Sequence, residues 1–187
     1  MIFKALMLCF LVAQIVEISG HGRLLQPVSR SSAWRKFPAQ FPAYYGDNQM
    51  FCGGTYTQYT VNGGKCGICG ESYSGQKKFE KGGSLYRDLV VAKYSKGAKI
   101  DVEVELTANH LGYFEFKICN VDGSKSDATQ QCLDKNILTD SNGKTKIFVG
   151  RKTGKMKFKI NLPVGLICKH CVFQVTFLKL IKKLKVN

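Results

Sequence analysis

From residue 100 to residue 177, apolar and polar side chains alternate in short runs. Ile100, Val102, Val104 and Leu106 alternate with Asp101, Glu103 and Glu105, and Phe114, Phe116 and Ile118 alternate with Glu115 and Lys117. Lys146 to Val149, Met156 to Leu162 and Cys171 to Phe177 read the same way. A period of two places the apolar set on one face of an extended chain, so each run predicts an antiparallel strand with one buried face. Gly, Asn and Asp clusters between the runs supply the turns. Several such strands at this spacing predict an all-β fold, an immunoglobulin- or fibronectin-III-like β-sandwich with long disulfide-tied loops. Helix signals are confined to a turn around Ala128 to Leu133. From His21 to about Gly83 the sequence is irregular and rich in Gly, Pro, Tyr and Ser. That stretch predicts a long loop region tied down by Cys52, Cys66 and Cys69.

The start of the chain follows a different rule. Met1 to Lys4 is a short basic opening, Ala5 to Val16 is apolar, and a polar stretch ends Ile18-Ser19-Gly20. That order predicts a secretory signal peptide over 1–20, cut after Gly20, and a single extracellular domain over 21–187. The apolar run is well short of the roughly 20 residues of a membrane span. The net charge of +15 raises the question of nucleic acid. The lysines are scattered, however, and many alternate with apolar residues, as in Met156 to Leu162, which is the pattern of a solvated strand face. No nucleic acid or membrane is expected as a partner, and an attraction to acidic surfaces stays open.

Losing Cys9 with the leader leaves seven of the eight cysteines. Cys66-x-x-Cys69 and Cys168-x-x-Cys171 together resemble a zinc ribbon. In a secreted chain, disulfides are the expected reading. Seven is odd, so one sulfur lacks an internal partner.

Three histidines are present: His21, His110 and His170. His21 directly follows the expected cut. An N-terminal histidine offers two nitrogens, its α-amine and its ring, and the amine, with an unperturbed pKa near ~8, can deprotonate onto a metal. His110 follows a predicted strand and precedes Gly112, so it sits in a strand-end loop and can supply a third nitrogen, a T-shaped set suited to copper. His170, between Cys168 and Cys171, reads as a surface histidine. Trp34, Tyr44 and Tyr45 either pack in the loops or offer ring faces to sugars. Glu71 and Glu80 carry no spacing that argues for glycosidase carboxylates.

The segments His21-Gly22-Arg23-Leu24, Ser31-Ser32-Ala33-Trp34-Arg35 and Phe51-Cys52-Gly53-Gly54 resemble the lytic polysaccharide monooxygenases of auxiliary activity family 15. So do Asn62 to Gly70, Glu105 to Phe116, Leu162 to Cys168 and Cys171 to Gln174. The resemblance runs from His21 to about Phe177. It implies a copper ion in a histidine brace, held by the His21 amine and ring and by the His110 ring. It implies that Ala108 keeps one axial side open and that Phe177 stands at the other, where the family normally has tyrosine. It also implies an external electron donor, O2 or hydrogen peroxide as co-substrate, and oxidation of an insoluble polysaccharide at C1 or C4. Chitin is the expected substrate and cellulose the alternative, with the enzyme acting as a monomer.

The chain departs from the family after Phe177. A glycine-rich segment with tryptophan and three further cysteines is replaced by Leu178 to Asn187, an atypical tail over 178–187. Two other classes fit the same histidines: a non-catalytic polysaccharide-binding module, and an extracellular protein that holds copper without cutting sugar.

Overall fold

The computed structural model describes residues 21–179; the expected leader 1–20 and residues 180–187 lie outside the described residues. Among the described residues seven strands form: β1 (His21–Gln26), β2 (Lys99–Ala108), β3 (Gly112–Asn120), β4 (Thr139–Asp140), β5 (Ile147–Phe148), β6 (Gly154–Asn161) and β7 (Cys171–Lys179). One helix, α1 (Gln130–Lys135), stands where the turn around Ala128 to Leu133 is expected. The Thr129 hydroxyl starts it by accepting the Cys132 amide at 3.2 Å. No helix among the described residues is long and apolar enough to cross a membrane.

The strands make two antiparallel sheets, β1-β2-β6-β4 and β5-β3-β7, with the immunoglobulin-like sandwich architecture that the alternation predicts. The inward set is the predicted one. Val102, Val104, Leu106 and Ile160 from one sheet bury against Phe114 and Phe116 from the other. The Phe116 ring lies 5.7 Å from Phe158 and 5.9 Å from Phe173. Cys171, Phe173, Val175 and Phe177 all pack against this core from β7, as the shared face of an extended strand requires. On the opposite face of the first sheet, Lys159 pairs with Asp101 at 2.6 Å and Lys157 with Glu103 at 3.7 Å across β2 and β6. The alternating lysines are therefore a solvated strand face.

Two expectations need correction. The stretch from His21 to Gly83 is not all loop: β1 runs antiparallel to β2, and short 3-10 and π-helical turns form at Ala33–Arg35 and Tyr56–Val61. His-Gly-Arg-Leu-Leu-Gln has no clean alternation, and pairing with β2 overrides its weak intrinsic preference. Secondly, Cys69 does not help tie the loops. The bridges are Cys52–Cys66, Cys119–Cys132 and Cys168–Cys171, and Cys69 is the free cysteine among the described residues. Beyond Phe177, β7 continues through Lys179, which pairs with Gly112 of β3.

Candidate functional site

The pairing of β1 with β2 places His21 opposite Ala108, and a register shift then sets Gly22 opposite Leu106. This bulge turns the end of the strand without breaking its pairing. A side chain at position 22 does not fit, since a Cβ there would lie 2.9 Å from the Glu105 carbonyl oxygen. Three hydrogen bonds fix the strand end. The Gly22 amide donates to the Asn48 carbonyl at 3.0 Å, the Thr107 hydroxyl donates to the His21 carbonyl at 3.1 Å, and the Asn48 side-chain amide donates to Thr107 Oγ1 at 3.1 Å. The Phe51 ring meets the His21 ring edge-on, with centroids 5.6 Å apart.

His110 lies in the three-residue crossing from β2 to β3, which carries the chain from one sheet to the other. Its Nε2 is buried and has no hydrogen-bond partner. A buried polar nitrogen left unpaired is costly, and a lone pair held in this way fits a metal ligand. Leu111, the next residue, takes a left-handed backbone with φ of 57°. Gly112 then begins β3 where a Cβ would meet the Leu178 carbonyl oxygen at 2.4 Å and Phe177 Cζ at 2.8 Å. Only glycine lets the Phe177 ring lie here, two residues along the chain from His110, and the Phe114 ring centroid is 5.1 Å from that of Phe177.

His21, Ala108, His110 and Phe177 thus gather at one end of the sandwich, at the start of β1, the end of β2, the crossing into β3 and the far end of β7. These groups fit a copper ion on a nitrogen donor set, with the unpaired His110 Nε2 as the observation that carries the fit. Among the described residues, no three His, Cys, Asp or Glu side chains converge as a metal cluster. A third donor beside the two histidine rings therefore has to come from another kind of group.

Behind the site runs a charged network that sequence reading missed. Asp47 has no exposed side-chain surface and accepts from Arg23 at 2.7 Å and Arg35 at 2.6 Å, while Arg23 also reaches Glu105 at 2.7 Å. Burial by itself raises the Asp47 carboxyl, but the hydrogen bonds from Arg35 and Arg23 outweigh it and hold the group below its ordinary value. The network ties β1 to the loop that carries Asn48.

The other candidates separate cleanly. Trp34 is half-buried, its indole N–H donates to the Tyr44 carbonyl at 3.0 Å, and Tyr44 packs edge-on against Phe79, so both are packing residues. Tyr45 is 79% exposed and presents its ring to solvent. His170 sits in the Cys168–Cys171 turn with Nδ1 3.4 Å from Asp88, at the opposite end of β3 and β7 from His110. Glu71 accepts the Lys78 and Phe79 amides and Glu80 accepts the Ile68 amide, which makes both loop braces.

The model for the lytic polysaccharide mono-oxygenases, described as cellulose-degrading, matches residues 21–176. Among solved structures, the chain is similar to the lytic polysaccharide monooxygenase AA15 from Thermobia domestica in the Cu(I) state. The two are 35% identical with a TM-score of 0.79, over 84% of this chain and 82% of that one. No curated protein matches the chain.

Proposed function

The chain belongs to the lytic polysaccharide monooxygenases, of the auxiliary activity family 15 type, and on that premise we propose that it is a secreted, monomeric copper enzyme that cuts chitin oxidatively. The observation that carries the reading is the juxtaposition of His21 with the His110 loop, where a buried Nε2 has no protein partner. After cleavage behind Gly20, the His21 α-amine and ring supply two nitrogens and His110 Nε2 the third, which meets the need for a donor other than a side chain. Copper, when bound, supplies the one-electron chemistry by which an external donor and O2 or hydrogen peroxide oxidise C1 or C4 of a glycosidic linkage.

The chain's own residues do the positioning. Ala108, paired with His21 across β1 and β2, would leave the space beside the two histidines free of bulk, and Phe177, against Gly112, would offer an apolar ring there. Phe177 lacks the phenol oxygen of a tyrosine, so it contributes shape and dryness without a hydrogen bond. Phe51 limits rotation of the His21 ring, and Thr107 and Asn48 hold the His21 backbone. The exposed Tyr45 offers a ring face of the kind that packs on sugars.

The test is incubation of protein beginning at His21, copper-loaded, with chitin and separately with cellulose, plus ascorbate, followed by mass spectrometry. Oxidised oligosaccharides from chitin, absent for His110→Ala, support the reading. Products from cellulose alone move the substrate assignment. Tight copper binding without product from either leaves a copper-holding protein, and adsorption alone leaves a binding module.

A further inference from the structure

The crossing that carries His110 is held by the side chain of its neighbour. Asn109 precedes the histidine, and its carboxamide uses both ends. Its Oδ1 accepts the Leu111 amide at 2.9 Å, which closes a turn across His110. Its Nδ2 donates to two backbone carbonyls of the loop between β5 and β6, Gly150 at 3.0 Å and Lys152 at 2.5 Å. One amide thus spans the residue after His110 and a loop more than 40 positions along the chain. The turn it closes holds Leu111 at φ of 57°, a conformation leucine rarely adopts without support. Between those anchors stands His110, with its Nε2 buried and unpaired.

We propose that Asn109 is the positioning residue of the metal site: by clamping the His110 crossing to the 150–152 loop, it aims the His110 ring. The inference rests on the reading that His21 and His110 hold copper. Neither half of the amide is replaceable by a smaller change. Alanine removes all three hydrogen bonds. Aspartate keeps the acceptor for Leu111 but turns a second oxygen toward the two carbonyls, which repels the loop instead of holding it. Both changes free the crossing to move and cost the ring its fixed direction.

A comparable clamp elsewhere provides the control. Asn161, at the other end of β6, donates to Thr139 Oγ1 at 3.1 Å and to the Asp140 carbonyl at 2.6 Å. Its loss removes similar bonds from the same sheet without touching the histidines.

The experiment uses protein beginning at His21 and Cu(II) alone. It measures affinity by competition, the electron paramagnetic resonance spectrum of the bound ion, and Tm of the metal-free protein. Asn109→Ala and Asn109→Asp are expected to weaken Cu(II) binding roughly 10–100-fold, as loss of the group that orients a ligand does, and to change the copper hyperfine splitting. Asn161→Ala lowers Tm with affinity within about twofold of the parent and an unchanged spectrum. If both Asn109 variants bind like the parent with its spectrum while Tm falls, Asn109 is only structural and the proposal is overturned. Should alanine fail to fold, the aspartate variant decides by the same two readouts. If the parent itself binds no Cu(II), the underlying reading fails and takes the proposal with it, and that outcome is distinct from the first.

Discussion

Asp47 carries the sharpest consequence at the scale of single residues. Its carboxylate is wholly buried between Arg23 and Arg35, and a buried pair broken on one side leaves uncompensated charge. Asp47→Ala is expected to lower the unfolding free energy by about 3–5 kcal/mol, read from denaturant midpoints at pH 7. The pH dependence has a definite sign. The folded-state pKa is depressed, so this stabilisation is present above the unfolded value near ~3.9 and is lost as pH falls through the lower folded value. Asp127 adds to the same window. Burial works against its charge, but its hydrogen bonds from Arg30 prevail. The gap between parent and Asp47→Ala therefore narrows below about pH 4. Parallel stability curves from pH 7 to pH 3 would contradict the assignment.

At the scale of elements, the strands of the second half were legible because their apolar residues keep strict period two against a single core. Phe177 facing inward followed from that rule alone. β1 was not legible, because its pairing depends on a bulge at Gly22 and on Thr107 and Asn48, none of which leaves a periodic trace. Of the site, the three histidines and the resemblance pointed to His21 and His110. Asn109 was not visible, because its hydrogen bonds reach a loop far along the chain. The odd cysteine count was legible as a number, but not its location. The structure puts the free thiol on Cys69, with Arg30 Nη1 3.6 Å from its sulfur. Burial pushes this thiol up to about 12, against the pull of Arg30. A thiol in that state stays protonated and unreactive near neutral pH. In protein beginning at His21, thiol titration at pH 8 is expected to find almost none in the native state and one per chain after denaturation without reduction. Three or more in the denatured state would mean that the bridges do not form as described.

For the whole molecule, the net charge of +15 is spread over solvated faces, where Lys157 and Lys159 already meet Glu103 and Asp101. Chitin is neutral or slightly cationic, so charge does not draw the protein to it. Adsorption to chitin is expected to change little between low and high salt, since screening removes only charge-based attraction. Binding that collapses as salt rises would point to an acidic partner in place of chitin.

The proposed copper site has one requirement, that His21 is the first residue of the working protein. An α-amine has a basic lone pair and an amide nitrogen does not, so a residue left in front of His21 removes one of the three nitrogens while leaving both rings in place. Titration calorimetry with Cu(II) on protein beginning at His21, beside the same protein still carrying Gly20, isolates that nitrogen. The account predicts one copper per chain for the first and binding weaker by roughly 100-fold for the second. Equal affinities would contradict it, whatever the protein does to polysaccharide.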